Sequence, residues 1–313
     1  MVILCNQMVE ATRTAYVFPG QGAQYAGMGK ELYEFSPKAR EIFEKANEIT
    51  GLDLADICFN GPQEKLNQTI PSQLGILTVS IAALRILSPA LNPEVVAGLS
   101  LGEYSALVAA GSLSVEDSFM LVKKRAEFMK EASLKNPGGM LAIIGLSRKD
   151  LTQICQSTNA QIANLNCPNQ VIISGTHSQI EKAAELSLAK GAKKIVALKV
   201  EGPFHSRLMD DAAKKLDGVL AETKILPPRI PIVANVTANY EDSPEAIKQN
   251  LSNQVNHNTL WEDSIRKIVS RGIKTFIEIG PGKVLKGLLR RIDKDLEVYN
   301  VEKPADLDKL TLR

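Results

Sequence analysis

The pattern Gly98-x-Ser100-x-Gly102 places a serine between two glycines, directly after the short apolar run at 95–97. At a predicted strand-to-helix junction this pattern is typical of a nucleophile elbow, in which a tight turn holds the serine in a strained backbone conformation. The N-terminus of the following helix favours negative charge near the serine. Ser100 is therefore the candidate nucleophile, and a Gly-rich packing turn with a capping serine is the alternative interpretation.

A serine nucleophile needs a base, and histidine is the commonest base at such sites. The chain has three histidines, His177, His205 and His257. His177 lies between a predicted strand and a predicted helix, and His257 lies in an Asn-rich polar loop. His205 follows Gly202 and Pro203 at a predicted domain junction, where clefts form. His205 is therefore the preferred base, with a packed or surface histidine as the alternative, and the residues alone select no acidic third member.

Arg125 lies on the helix predicted after Ser114, beside an apolar face and in a stripe with Leu121 and Phe128. A partly buried guanidinium needs an anion, because leaving the charge unpaired costs several kcal/mol. One interpretation is an internal salt bridge or a snorkelling side chain. The other is a bidentate clamp for the carboxylate of a substrate. The pattern alone leaves both open.

A second Gly-rich segment, 18–24, follows the first predicted strand. It matches neither a P-loop nor G-x-G-x-x-G, so nucleotide binding is not indicated. Such a strand end can supply one backbone N–H to an oxyanion, and Leu101, the residue after the serine, can supply the other. A plain turn is the alternative interpretation.

The elements that must position these residues alternate between strand and helix. Strands are predicted at 14–18, 95–97, 140–145, 161–165, 171–174, 194–200, 230–235 and 275–279, and helices at 37–50, 72–87, 103–110, 114–134, 149–157, 178–190 and 281–292. The order β-α-β-β-α-β within 137–200 is that of a ferredoxin-like unit. The alternation on either side of it indicates an α/β core with a mostly parallel sheet covered on both faces. We therefore predict a catalytic core from 14–136 and 201–313, an inserted ferredoxin-like subdomain at 137–200 and an N-terminal tail at 1–13.

The bulk composition excludes several functions. The formal net charge of the 313 residues is +2, from 37 basic and 35 acidic side chains, which argues against a general nucleic-acid binder. Cys5, Cys58, Cys155 and Cys167 form no C-x-x-C pair, so neither a zinc site nor a disulfide framework is predicted, and a reduced cytoplasmic compartment fits. The longest apolar stretch, 75–87, is too short to span a bilayer. No signal peptide is predicted, and either Met1 or Met8 is the start.

Taken together, the chain resembles the malonyl-CoA:acyl carrier protein transacylase family over nearly its whole length from about Thr14. The matching segments are FPGQGAQ at 18–24, GLSLGEYSALVAAG at 98–111, LVKKRAEFMKEA at 121–132, GGMLAIIG at 138–145, NLNCPNQVIISG at 164–175, GPFHSRLM at 202–209, NQVNHNTLW at 253–261 and EIGPGKVLKGL at 278–288. The set is highly specific, whereas no single segment would be.

By that resemblance, Ser100 is the nucleophile and His205 its base, while Arg125 pairs with the malonyl carboxylate. The resemblance also assigns the oxyanion-hole amides to Gln21 and Leu101. The implied fold is an α/β-hydrolase-like core with a ferredoxin-like insert, in agreement with the elements predicted above. The implied activity is transfer of a malonyl group from coenzyme A to acyl carrier protein through a malonyl-serine intermediate, supplying fatty acid synthesis.

Two further residues are assigned by the resemblance. Gln254 matches the glutamine whose backbone carbonyl orients the histidine in place of an acid. Phe204 matches malonyl-selective relatives, where a bulky ring crowds an α-methyl branch. The chain departs from the family at Leu99, where histidine is common, and at Asn258-Thr259, where Pro-Val is common, so an altered pocket wall and a changed loop around Gln254 are expected.

The partners follow from the implied activity. We expect malonyl-CoA as substrate, acyl carrier protein as acceptor, no metal or bound cofactor, no nucleic acid or membrane, and a monomer. The basic pairs Lys193-Lys194 and Arg290-Arg291 are candidates for docking the acidic carrier, with plain solvated charge as the alternative. A serine hydrolase or thioesterase, an acyltransferase acting in trans in a polyketide pathway, and a catalytically silent docking module are the rival functions.

Overall fold

The computed structural model describes residues 13–87 and 92–311. The predicted tail at 1–13 therefore lies outside the described residues except for Arg13, as do Cys5 and the two candidate starts. The strands are β1 (Thr14–Phe18), β2 (Val95–Gly98), β3 (Gly138–Ile144), β4 (Gln161–Cys167), β5 (Gln170–Thr176), β6 (Lys194–Ala197), β7 (Ile232–Val233), β8 (Tyr240–Glu241), β9 (Thr275–Ile279) and β10 (Glu297–Val301).

Helices connect most of these strands. The α-helices are α1 (Lys30–Phe35), α2 (Pro37–Thr50), α3 (Leu54–Asn60), α4 (Gln63–Leu66), α5 (Thr69–Ile86), α6 (Gly102–Ala109), α7 (Val115–Lys135), α8 (Arg148–Thr158), α9 (His177–Ala189), α10 (Asp210–Glu222), α11 (Pro244–Gln254), α12 (Trp261–Val269), α13 (Val284–Ile292) and α14 (Asp308–Thr311). Short 3-10 helices lie at Arg207–Met209 and Pro304–Asp306.

Within the described residues, six strands form the main sheet, in the order β10-β9-β1-β2-β7-β8. All neighbouring pairs are parallel except β7 and β8. Because side chains alternate along a strand, Tyr16 and Phe18 of β1 enter one core cluster while Ala15 and Val17 enter another on the opposite face. Both faces of the sheet are therefore covered, as predicted, and the protein has a mixed α/β fold with a parallel sheet.

The small sheet is formed by residues 138–197 and has the antiparallel strand order β4-β5-β3-β6. Helices α8 and α9 pack against it around a separate apolar cluster that includes Ile143, Leu151, Ile173 and Ala183. The predicted succession of strands and helices over 140–200 is present, although the last strand ends at Ala197 instead of residue 200.

The chain enters the small sheet at Gly138 and leaves it through Gly202 and Pro203, and these two connections lie side by side. A Cβ on Gly138 would lie 3.1 Å from Pro203 Cβ, and one on Gly202 would lie 1.8 Å from Ser133 Oγ on α7. Only glycine fits between the outgoing chain and α7. We call this double connection, 136–138 and 202–203, the neck, and it leads directly to His205.

Two further predicted elements differ from the structure. The strand expected at 230–235 contains only Ile232 and Val233, because Asn235 leaves the strand ladder and bonds the elbow instead. The helix expected at 281–292 begins at Val284, since Gly280 and Gly282 have φ values of 132° and 75° that extend the loop.

Helix α5 lies at the centre of the core. By length and composition it could cross a membrane, and 78% of it is buried inside the protein. It packs against α2 and α7, which places Gln73 of α5 beside Arg125 of α7. The position of α5 is that of a core helix that supports the site described next.

Candidate active site

The predicted elbow is present between β2 and α6. Ser100 has a φ of 52°, a left-handed backbone conformation that residues other than glycine rarely adopt. The flanking glycines are required by close contacts, because a Cβ on Gly98 would lie 1.9 Å from Gly102 C and one on Gly102 would lie 2.1 Å from Phe18 O. The turn therefore projects the serine side chain from a tightly packed strand end.

Two amide side chains hold Ser100 in this conformation. The backbone N–H of Ser100 donates to Asn235 Oδ1 at 2.7 Å, and Gln254 Nε2 donates to Ser100 O at 3.0 Å. Asn235 Nδ2 also donates to Gly98 O at 2.6 Å. Asn235 has no local signal in the sequence, because its side chain acts on a residue 135 positions away along the chain.

The structure brings His205 to Ser100, with 2.8 Å between His205 Nε2 and Ser100 Oγ. His205 Nδ1 lies 2.7 Å from the backbone oxygen of Gln254. Because a carbonyl oxygen only accepts, Nδ1 carries the proton and Nε2 is free to accept one from the serine. His177 begins α9 and His257 is exposed with its Nδ1 near Asn253 O, so neither reaches the serine.

The environment of His205 keeps its imidazole neutral. The side chain is buried, and burial together with the nearby positive charge of Arg125 lowers the pKa of His205 from 6.5 to about 4. At neutral pH the ring is therefore a base in its proton-accepting form.

Arg125 is 1% exposed, and its Nη2 lies 3.1 Å from Ser100 Oγ. Its other hydrogen bonds are to neutral amides: Nη1 donates to Gln73 Oε1 at 2.6 Å, and Nη2 donates to Gln254 Oε1 at 3.0 Å. The guanidinium also lies over the ring of Tyr104, 5.5 Å from its centroid. Among residues 13–87 and 92–311, no carboxylate forms an ion pair with Arg125, and its Nε–H has no acceptor. The internal salt bridge considered from the sequence is thus not found, and an anion brought by a ligand would meet an uncompensated cation beside the nucleophile.

A cleft of about 260 Å³ opens above these groups, between the main sheet and the small sheet. Its polar residues include Ser100, His205, Arg125 and Gln21, and Phe204 is buried in its wall. The cleft is lined by Gly20, Gln21, Gly22, Leu99, Ser100, Arg125, Met129, Met140, Ala142, Asn164, Asn166, Gln170, Ile172, Leu198, Val200, Phe204, His205, Val284 and Leu288.

The turn that carries Gln21 touches the elbow. A Cβ on Gly20 would lie 2.3 Å from Leu99 O, so the two strand ends meet in backbone contact. Leu101 is fully buried at the N-cap of α6, and Leu99 lines the cleft. Leu101 follows Ser100 within the elbow, and Gln21 lines the cleft on the turn that touches it.

A larger, open depression of about 880 Å³ also borders His205. It is lined by polar residues that include Arg207, Asn256, His257 and Asn258, and neither the serine nor the buried guanidinium reaches it. The chemistry therefore belongs to the smaller cleft. Beside this depression, the backbone of Thr259 bonds the backbone of β4. The contact between Gln254 of α11 and His205 is present although residues 258–259 depart from the family pattern.

The four basic residues considered for docking are exposed, and Lys194 and Arg291 lie near the same end of the small sheet. Arg291 Nη1 donates to Gln170 Oε1, and Gln170 also lines the cleft. Gln170 pairs with Ile144, which pairs with Lys194 on the other side. Lys194 is therefore two strand spacings, about 10 Å, from Gln170.

The other two basic residues differ in position. Lys193 precedes β6, and its backbone N–H donates to Ile144 O at 2.8 Å, so it shares the edge with Lys194. Arg290 instead lines a separate shallow depression with Lys286 and Lys309. The pair at 290–291 thus points to two different surfaces.

Comparison with known proteins gives consistent results. The sequence model of the acyl transferase domain matches residues 15–303. A malonyl CoA-acyl carrier protein transacylase of Bacillus subtilis (strain 168) is 43% identical over 303 residues, which cover 95% of this chain and 96% of that protein. A crystal structure of an acyl-carrier-protein S-malonyltransferase from Burkholderia pseudomallei 1710b has a TM-score of 0.91 at 38% identity, covering 96% of this chain and 99% of that one.

One similar solved structure is a complex. It contains a type II PKS acyl-carrier protein with its malonyl-transacylase, and the match has a TM-score of 0.92 at 36% identity, covering 95% of this chain and 98% of that one.

The depressed pKa of His205 predicts the acid limit of Ser100 reactivity. Protonation of the imidazole removes the acceptor for the serine proton, so phosphonylation of Ser100 by a fluorophosphonate should fall as pH decreases through about 4 and stay near its plateau at higher pH. The Arg125→Ala variant should move the midpoint upward, and His257→Ala should leave it unchanged. A wild-type midpoint near pH 6.5 would contradict this account.

The Asn235→Ala variant should lose the anchor on the serine backbone. We expect phosphonylation of Ser100 to slow by about 100-fold, because a displacement of the order of 1 Å at a reacting group has an effect of that size. Asn239→Ala is the matched control, since Asn239 Nδ2 donates only within its own turn, to Thr237 O at 3.0 Å. Equal rates in the two variants would show that the anchor is dispensable.

Proposed function

The chain belongs to the acyl transferase domain family, and from this membership and the site we propose that it transfers a malonyl group from malonyl-CoA to the phosphopantetheine thiol of acyl carrier protein. It is an acyl-carrier-protein S-malonyltransferase and supplies malonyl groups for fatty acid synthesis. The observation that carries the malonyl assignment is the buried guanidinium of Arg125, 3.1 Å from Ser100 Oγ and without a carboxylate partner among the described residues.

In the first half-reaction, Ser100 Oγ attacks the thioester carbon of malonyl-CoA and passes its proton to His205 Nε2. The carbonyl oxygen becomes an oxyanion that accepts hydrogen bonds from the backbone N–H groups of Gln21 and Leu101, each worth about 3 kcal/mol in the transition state. Collapse of this intermediate breaks the carbon–sulfur bond, and the departing thiolate takes the proton from His205.

The second half-reaction runs the same steps with a new nucleophile. The phosphopantetheine thiol gives its proton to His205 and attacks the malonyl ester on Ser100. Collapse of the second oxyanion breaks the ester bond, and the serine oxygen regains the proton. Arg125 holds the malonyl carboxylate during both halves, so the acyl group keeps one orientation while the thiols exchange.

In this proposal, Gln254 supports the base and Phe204 limits the shape of the acyl group. The carbonyl of Gln254, 2.7 Å from His205 Nδ1, stabilises the imidazolium that forms after each proton transfer and takes the place of an acidic group. Phe204 is 3% exposed in the cleft wall, and its ring leaves little room for a branch at the α-carbon of the acyl group.

We propose that the carrier docks at the end of the small sheet next to the cleft. Lys193, Lys194 and Arg291 are exposed there, and their charge suits an acidic protein that must deliver a thiol to Ser100. Arg290 completes the basic pair predicted from the sequence. It lies beside Lys286 in a separate depression, so we propose that it contributes less to docking than Arg291 does.

The oligomeric state, the location and the absence of cofactors are also proposals. We propose that the chain works as a monomer in the cytoplasm, without metal or bound cofactor and without binding nucleic acid or membrane. The free thiols of Cys58, Cys155 and Cys167 support the proposed location in a reducing compartment. The proposal of no metal is supported by the part of the chain covered by the structure, which contains no group of three or more side chains suited to a metal ion.

We further propose that the fold consists of a core and an inserted subdomain. A core of 14–136 and 201–313 is α/β-hydrolase-like, supported by the parallel order of the main sheet and by the elbow between β2 and α6. An insert of 137–200 is ferredoxin-like, supported by its β-α-β-β-α-β succession and the antiparallel order β4-β5-β3-β6.

A polyketide pathway is the second candidate setting for the same reaction. It is favoured by one observation, the similarity to a malonyl-transacylase solved with a type II PKS acyl-carrier protein. A serine hydrolase would use water as acceptor and would need no cation for a substrate carboxylate.

An assay with malonyl-CoA and holo carrier protein tests the proposed function. Malonyl-carrier is the expected product, whereas free malonate would indicate a hydrolase and no product a binding role. In the Arg125→Ala variant, malonyl transfer should fall by about 100-fold relative to acetyl transfer, because a buried charge loses its partner. Arg266→Ala is the control, since Arg266 forms an exposed pair with Glu262. An unchanged malonyl-to-acetyl ratio in Arg125→Ala would refute the clamp.

The docking proposal predicts a difference within one basic pair. Arg291→Ala and the double variant Lys193→Ala/Lys194→Ala should raise the KM for carrier protein and leave the KM for malonyl-CoA unchanged, because the charges steer only the protein partner. Arg290→Ala should change the carrier KM less than Arg291→Ala. Docking at this edge would be wrong if the carrier KM were the same in all of these variants.

A further inference from the structure

A buried carboxyl group lies under the nucleophile. Glu103 is in the first turn of α6, three residues after Ser100, and is 1% exposed. Its Oε2 accepts a hydrogen bond from Gln254 Nε2 at 2.5 Å and a longer one from the backbone N–H of Asn235 at 3.4 Å. The two residues that anchor the serine are thus both tied to one carboxyl oxygen.

Together, Asn235 and Gln254 contact the serine, the histidine and the guanidinium of the site. Asn235 anchors the backbone N–H of Ser100, and Gln254 anchors its carbonyl. The backbone oxygen of Gln254 faces His205 Nδ1, and its side-chain oxygen accepts from Arg125 Nη2. The side-chain contacts require one orientation of the Gln254 amide, with Nε2 toward Glu103 and Ser100 O and Oε1 toward the guanidinium. This anchored side chain also holds the end of α11 at which the backbone oxygen of Gln254 meets His205.

We propose that Glu103 is a positioning residue, which fixes the amide of Gln254 and through it aligns the serine, the base and the cation. Contact with the substrate is not needed for this role, and Glu103 does not line the cleft. The part of the proposal that concerns the cation rests on the proposed malonyl transfer, whereas the alignment of serine and base does not.

The surroundings of Glu103 indicate that its carboxyl group keeps a proton. Burial raises its pKa well above the ordinary value, and the neighbouring Glu241 on β8 raises it further. The hydrogen bonds from Gln254 and Asn235 and the charge of Arg125 on α7 lower the pKa of Glu103 by a smaller amount. Tyr104 is the other titratable group of the same helix turn. Burial also raises the pKa of Glu241 to about 7, so the two acids disfavour being charged together.

The unpaired oxygens agree with this protonation state. Within the described residues, Oε1 of Glu103 and Oε1 of Glu241 have no hydrogen-bond partner, while Asn250 Nδ2 donates to Glu241 Oε2 at 2.7 Å. A proton on Glu103 Oε1 leaves Oε2 as a carbonyl-type acceptor for Gln254. A glutamine at 103 would present the same acceptor, and a methionine would fill the same space without one.

The test compares Glu103→Gln with Glu103→Met, which are matched in size and both uncharged. We expect the Gln variant to keep kcat within about threefold of the wild type, and the Met variant to lose about 100-fold in kcat, as for a reacting group displaced by 1 Å. The Met variant should also bind malonyl-CoA with a higher KM, since the guanidinium loses its orientation. Asp306→Asn, which changes a buried carboxylate that caps the chain at Glu302 and Lys303, is the control.

Two readouts separate this proposal from the proposed function, because neither needs an acyl donor. They are the rate of Ser100 phosphonylation and the downfield NMR resonance of the His205 Nδ1 proton. Both should change in Glu103→Met and stay near wild type in Glu103→Gln. If the Met variant does not fold, Glu103→Asp, which withdraws the carboxyl by one methylene, should show the same losses. Equal behaviour of Glu103→Gln and the variants that lose the acceptor would overturn the positioning role.

Discussion

The serine oxygen of this protein lies within hydrogen-bonding distance of an imidazole and a guanidinium at once, at 2.8 Å from His205 Nε2 and 3.1 Å from Arg125 Nη2. A fixed positive charge so close to the base favours the neutral imidazole, and burial has the same effect. The cation therefore keeps the base ready to accept a proton, and in the proposed reaction it also meets the anionic acyl group. The remaining architecture has to hold three groups in a buried place where a small displacement would disrupt the reaction.

The chain meets that demand with neutral amides where many serine enzymes use a carboxylate next to the histidine. Gln73 and Gln254 accept hydrogen bonds from the two terminal nitrogens of the guanidinium without neutralising it, so its charge stays available for a ligand. A carboxylate in their place would pair with Arg125 and compete with the substrate. The carboxyl group of Glu103 is bonded to the amide of Gln254, and its raised pKa keeps it from neutralising the cation.

Local sequence patterns were sufficient for part of this site. Ser100 was found from the glycine spacing at a strand end, and His205 from the small number of histidines and its place at a domain junction, while the alternating strands gave the parallel sheet. Gln254 required the family resemblance, because it acts through a backbone carbonyl, a group that every residue has. Asn235 and Glu103 were missed, since they bond each other across 132 positions and such a contact leaves no periodic trace in the sequence. The length of the strand at 232–233 was overestimated as 230–235 for the same reason, since Asn235 bonds residues far away along the chain.

The neck gives the chain a modular character. Its two connections lie side by side, so the segment between them is a side branch whose ends nearly meet. Segments of that kind can be exchanged without rethreading the rest of a fold. Met140, Ile172 and Leu198 of this branch form part of the wall that faces the acyl group. Swapping the branch would therefore supply a new wall in one genetic step, while the reacting groups, carried by the other part of the chain, would be inherited unchanged.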